Sequence, residues 1–172
     1  MSELNQNVRN ALNQQINKEM QSSYLYLSMA NYFEMENLKG FAHWMNIQVQ
    51  EELSHGMKLY KFVLDRGGKI EFMDIKATSQ KWESPVQIFE AVLAHEKYIT
   101  KSIEDLIALA KKENDFATEG LLQWFIQEQI EEEATAGEIL ERLKQINNST
   151  NGLFMYDNAL AGRQTGPSNS NE

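Results

Sequence analysis

The chain has no cysteine. That excludes disulfides, thiolate zinc sites and cysteine-ligated iron–sulfur clusters, and it fits a cytoplasmic protein. No apolar run reaches membrane-spanning length, so no membrane partner is expected. Residues 1–5 lack a basic stretch leading into an apolar one, so no secretory leader is expected. A basic excess is missing as well: 16 Lys and Arg stand against 25 Asp and Glu, a net charge of −9. Phosphate binding needs a basic face, so nucleic acid is excluded as the main partner. An acidic surface attracts cations, or simply keeps a protein soluble. Only two prolines occur, Pro85 and Pro167. Glycines are few and grouped, so long stretches without either residue read as helix.

What is present is enough for one domain with a real core: 172 residues, 42% of them hydrophobic. The first helix is predicted over residues 5–36, followed by a turn at 37–40. The second runs over 41–66 and stops at Gly67-Gly68, a C-terminal glycine cap. The third starts at Ser84-Pro85-Val86-Gln87. Ser84 can cap it, Pro85 sits where its missing N–H costs nothing, and Gln87 can close a capping box. It runs to about residue 113. Asp115 can cap a fourth helix that ends near Ile146. A short fifth helix is predicted over 153–161, and residues 162–172 read as a polar, disordered tail.

Short turns make the first and second helices antiparallel, and likewise the third and fourth. The link between the second and third is about 17 residues. At roughly 3.3 Å per residue it reaches about 56 Å, longer than the roughly 40 Å of a helix of about 27 residues. It can therefore cross the whole bundle and leave those two helices parallel. The expected architecture is all-α: a four-helix bundle with one long crossover.

Residues spaced alternately three and four apart share one stripe of a helix and face the core. Each of the four stripes is apolar at its ends and interrupted near its middle. The interruptions are Glu19 in the first helix; Gln48, Glu52 and His55 in the second; Glu96 in the third; Gln129 and Glu132 in the fourth. In an antiparallel bundle the helix mid-points share one level, so these side chains converge in one layer. A carboxylate in an apolar core costs several kcal/mol unless compensated. The stripes offer no Lys or Arg as partners. Shared protons would neutralise part of the charge; two divalent cations match all four carboxylates. One imidazole and hard oxygen ligands suit a two-metal site, though Mn, Zn and Fe all accept that set. Taken singly, a helix glutamate is usually solvated and one Glu-x-x-His arises by chance. The joint interruption of four helices at matching depth carries the signal.

In this order, the motifs Asn17-Lys18-Glu19-Met20-Gln21-Ser22-Ser23-Tyr24-Leu25-Tyr26, Glu51-Glu52-Leu53-Ser54-His55, His95-Glu96, Leu122-Gln123-Trp124-Phe125 and Glu128-Gln129-Ile130-Glu131-Glu132-Glu133 resemble the ferritins, most closely the bacterial non-haem ferritins. The likeness covers about residues 4–161. It implies a ferritin-like di-iron domain over 1–161. On the fourth helix Gln129 and Glu132 replace the second Glu-x-x-His that bacterioferritins keep. Leu53 stands where bacterioferritins carry a haem-ligating Met, so no haem is expected.

The resemblance implies that Glu19, Glu52 and His55 bind a first iron. Glu52, bridging, then holds a second with Glu96 and Glu132, and Gln129 lies close by. The second iron lacks an imidazole, so it is expected to be held more weakly. A third iron site of the family maps to Glu51, Glu128 and Glu131; an acidic solvated face is the alternative. The implied chemistry is ferroxidase activity, in which two Fe(II) ions each give one electron to O₂ or peroxide. Storage of Fe(III) mineral inside a homo-oligomeric shell of 24 subunits follows from the same resemblance. Tyr26 is placed to hydrogen-bond a site carboxylate or to supply an electron. Trp124 lies off the stripe and is assigned to packing. Glu119 matches an acidic three-fold channel position, with Asp115 and Glu113 as competitors. Two other functions fit the layer: a bundle whose polar residues only set register, and a di-metal oxygenase.

Overall fold

The structure is a computed structural model that describes residues 4–78, 81–146 and 149–164. Five helices follow one another: α1 (Gln6–Met35), α2 (Lys39–Asp65), α3 (Pro85–Lys112), α4 (Phe116–Ile146) and α5 (Thr150–Leu160). The described residues contain no strand. None of their helices is long and apolar enough to cross a membrane. The fold is the expected all-α bundle.

The helix ends follow from local chemistry. Asn5 caps α1, its side chain accepting from the Asn7 and Val8 amides. Ser84 caps α3 by accepting from Gln87 N at 3.1 Å. The Gln87 side chain reaches one residue further back than a capping box requires, to the Glu83 amide at 2.8 Å. Three helices stop in the same way. Asn37, Gly67 and Asn114 adopt positive φ. The next amide then bonds back five residues: Leu38 to Phe33 O, Gly68 to Val63 O and Asp115 to Ala110 O. This is the left-handed C-terminal cap, which asparagine supports nearly as well as glycine.

Two boundaries differ from the sequence expectation. The second helix already includes Gly40, because α5 seats against its start. A Cβ on Gly40 would lie 1.7 Å from the Asp157 carbonyl oxygen. The buried Asp157 carboxylate accepts from the Phe41 amide at 2.9 Å, a favourable charge at a helix N-terminus. The fifth helix starts at Thr150 because Ser149 caps it, accepting from Gly152 N. Of the expected tail, residues 165–172 lie outside the described residues.

Side-chain pairs give the directions. Gln15 meets Ser102 and Tyr26 meets Glu96, so α1 and α3 are antiparallel. Gln48 meets Glu132 and His55 meets Glu128, so α2 and α4 are antiparallel too. With α1–α2 and α3–α4 joined by short turns, α2 and α3 run parallel. The link over residues 66–84 carries no helix or strand among its described residues. It runs along α1 and is gripped by a ladder of amides four residues apart. Asn13 bonds Lys69 O and the Glu71 amide. Asn17 bonds Asp74 O. Gln21 bonds Lys76 O and the Lys76 amide.

The apolar core falls into two clusters. One holds Tyr26, Met29, Phe33, Phe41, Met45, Phe89, Val92 and Ile139. The other holds Val8, Leu12, Leu59, Ile99, Ile103, Leu122 and Phe125. Each large side chain buried here contributes about 1.5–3 kcal/mol. Between the clusters lies the polar layer.

Candidate metal centre

Glu19, Gln48, Glu52, His55, Glu96 and Gln129 are all at most 5% exposed. Glu132 is half-buried, at the edge of the layer. One ligand atom each from Glu19, Glu52 and His55 lies within 4.8 Å of the others. Glu52 Oε2 is 3.7 Å from His55 Nδ1. Glu19 Oε1 accepts from Gln15 Nε2 at 2.8 Å, but its buried Oε2 has no donor. The neighbouring Glu52 carboxyl is the group with which Glu19 can share a proton. An orphaned, buried carboxylate oxygen beside a second carboxyl and an imidazole is what a cation site requires.

The other half of the layer is built differently. Glu96 accepts from the Tyr26 hydroxyl on one oxygen and from Gln129 Nε2, at 3.1 Å, on the other. Glu132 accepts from Gln48 Nε2 at 2.9 Å.

Electrostatics follow burial. Glu52 is pushed well above the usual carboxylate range by burial first, then by Glu96, Glu19 and Glu132. Glu19 and Glu96 are also raised, burial again dominating. Glu132 is raised to about 8 by burial, then by Glu96 and Glu51. His55 is lowered to about 4 by burial, then by Lys58. Burial therefore favours the protonated carboxyls, whose protons a cation would displace, while the imidazole is neutral and ready to ligate.

A family profile described as "Ferritin-like domain" matches residues 9–146. The chain belongs to the ferritin family. A bacterial non-heme ferritin of Bacteroides fragilis (strain 638R) is 41% identical over 162 residues, covering 93% of this chain and 99% of that one. The bacterial non-heme ferritin of Staphylococcus haemolyticus (strain JCSC1435) is 36% identical over 160 residues, covering 93% and 96%. Among solved structures, an open-pore ferritin from the hyperthermophilic archaeon Archaeoglobus fulgidus superposes with a TM-score of 0.94 at 45% identity. It covers 95% of this chain and 100% of its own. A humanized archaeal ferritin gives 0.94 at 48%, covering 95% and 99%.

Within this ferritin chain the remaining candidate residues fall as follows. Glu128 Oε2 lies 3.9 Å from His55 Nε2. The Glu128 carboxyl is raised by burial, then by Glu131 and Glu51, but among the described residues these three do not gather within ligand reach of one another as Glu19, Glu52 and His55 do. Glu51 is ion-paired to Arg163 at 2.7 Å. Trp124 packs edge-on against His55, 5.4 Å between centroids, with the Lys58 ammonium 3.9 Å over its ring. Two competitors for a channel position hold structural contacts. Asp115 pairs with Arg66 at 3.0 Å and caps α4 through the Thr118 amide; Glu113 accepts from Asn5 and Asn7. Glu119 faces Lys111 at 3.5 Å.

Two features escape the heptad argument. Gln15 and Ser102 are buried one position off their stripes, and they form a chain that ends on Glu19: Lys18 donates to Ser102, Ser102 to Gln15 and Gln15 to Glu19. Arg163, from the segment expected to be a disordered tail, is docked on α2 instead.

Proposed function

We propose that this ferritin chain is an iron-storage subunit with ferroxidase activity in the cytoplasm. Fe(II) is its substrate, O₂ or peroxide the oxidant, and the Fe(III) mineral is held inside a homo-oligomeric shell of 24 copies. The observation that carries this reading is the buried Glu19–Glu52–His55 group, with the Glu19 oxygen left without a donor.

The residues divide the work. Glu19, Glu52 and His55 take the first Fe(II), with His55 supplying a neutral nitrogen. Glu52 faces both halves of the layer and bridges to the second Fe(II), held by Glu96 and Glu132 with Gln129 close by. Iron binding displaces the protons that burial keeps on these carboxyls. A pair of ions roughly 3.5–4 Å apart, as in two-metal sites generally, can deliver two electrons to one oxidant molecule. Carboxylate ligands favour the ferric state and so drive oxidation. Tyr26 donates to Glu96 and holds it in place. Glu51, Glu128 and Glu131 form an outer carboxylate group for a third ion.

The test is anaerobic Fe(II) titration followed by O₂. Two tightly bound Fe(II) per subunit and a fast oxidation phase of matching amplitude are expected. Absence of stoichiometric binding would instead support a register-setting polar layer. Native mass then separates storage from an oxygenase: a particle near twenty-four times the subunit mass supports the shell, and a dimer overturns it.

A further inference from the structure

Arg163 lies beyond α5, outside the four-helix bundle, yet its side chain is seated on α2. Nη2 donates to Gln48 Oε1 at 2.5 Å and to Glu51 Oε2 at 2.7 Å. Nη1 donates to Trp44 O at 3.3 Å. The guanidinium lies 4.4 Å over the Trp44 ring, and the Arg163 carbonyl accepts from His43 Nε2 at 2.8 Å. A stacked, forked contact of this kind uses the planar guanidinium and is not available to lysine.

Its neighbours give the cation a consequence. Glu51 and Glu131 both act on the Glu128 carboxyl, and the proposed function assigns the three to an outer carboxylate group. Gln48, which accepts from Arg163, donates through its amide to Glu132. One permanent positive charge therefore sits directly on Glu51 and one hydrogen-bonded residue away from Glu132. The backbone that delivers it is anchored independently, by Asp157 on the α2 N-terminus and the close approach at Gly40. The side chain can leave without undocking α5.

We propose that Arg163 is the resident cation of the outer carboxylate group, competing with a third metal ion for Glu51 and yielding when that ion binds. This rests on the reading above of where iron binds. A guanidinium carries one charge and never titrates; a divalent ion carries two and can displace it, at reduced net affinity. The outer group is thereby kept weak, suited to passing ions on rather than retaining them.

Calorimetric titration of the assembled apo-protein with Zn(II), at fixed pH and low salt, tests this. In Arg163→Gln the weakest class of Zn(II) sites should tighten about tenfold, with the tightest class unmoved. Adding Glu51→Gln to that variant should remove the gain. Arg163→Lys keeps the charge without the fork or the stacking, and should tighten the class by only a fewfold. A weakest class in Arg163→Gln that is unchanged or weaker would overturn the proposal and leave Arg163 a structural clasp. Should Arg163→Gln fail to assemble, an unchanged weakest class in Arg163→Lys overturns it equally. Failure of the parent reading looks different: the tight sites would be missing from the unmutated protein itself.

Discussion

The two halves of the polar layer solve the problem of buried charge in opposite ways. Beside α1 and α2, Glu19, Glu52 and His55 crowd together and one carboxylate oxygen has no donor. Beside α3 and α4, Tyr26, Gln129 and Gln48 supply donors to Glu96 and Glu132. The first half is arranged for a cation in advance. The second is satisfied by the protein and must give up hydrogen bonds to take one. Preorganisation favours affinity, so the halves should fill in order, the imidazole side first.

The largest effect is expected where the halves meet. Glu52→Ala should slow the fast phase of Fe(II) oxidation by roughly 100-fold or more, beyond what loss of a supporting group costs. A retained fast phase would mean that the oxidation centre lies elsewhere. Supporting residues should then separate the halves. Gln15→Ala frees Glu19 and should weaken the tightest metal class about tenfold, while Gln129→Ala should weaken only the next class by a similar factor. Equal effects of both variants on both classes would erase the distinction.

Proton linkage offers a third test. The layer's carboxyls have folded-state pKa values above the ordinary 4.5, so the folded apo-protein holds protons that the unfolded chain has already lost. The carboxyls' contribution to stability therefore falls as pH rises from about 4.5 toward 8, while that of the buried His55 and His95, lowered to about 4, rises up to about pH 6.5. Bound metal takes the place of those protons. The melting-temperature gap between Zn(II)-loaded and apo-protein should widen from pH 5 to pH 8, with protons released on loading. A gap that narrows over that range would contradict the burial argument.

The smallest effect belongs to Tyr26→Phe. If the hydroxyl only positions Glu96, oxidation should change less than about threefold. The melting temperature should fall by roughly 2–4 °C, for about 1 kcal/mol of lost hydrogen bonding. A rate loss of tenfold or more would assign Tyr26 the electron-donating role.

Much of this was legible in the sequence because helical stripes report burial. Glu19, Glu52, His55, Glu96 and Gln129 each break an apolar run, and all five are buried between the two core clusters. Ser84, Pro85 and Gly67 marked helix ends through their own backbone chemistry. Other features had no periodic signature. Gln15 and Ser102 sit beside the stripes, where a polar residue looks like ordinary surface. Arg163 stood in a polar, glycine-flanked stretch, and its partners are more than a hundred positions away. The Asn13–Asn17–Gln21 ladder holds main chain rather than side chains, so no hydrophobic pattern announces it.

That ladder has a consequence for how the molecule can vary. Because Asn13, Asn17 and Gln21 hold the middle of the crossover by its peptide groups, between side-chain anchors at Ile70 and Trp82, the side chains over residues 71–76 add little to its attachment. Phe72 is 88% exposed, and Met73 and Ile75 are exposed as well. Substitutions there should leave the subunit's folding nearly untouched while recasting the surface it shows to its neighbours. Three amides on one helix thus uncouple the identity of the interior from that of the exterior.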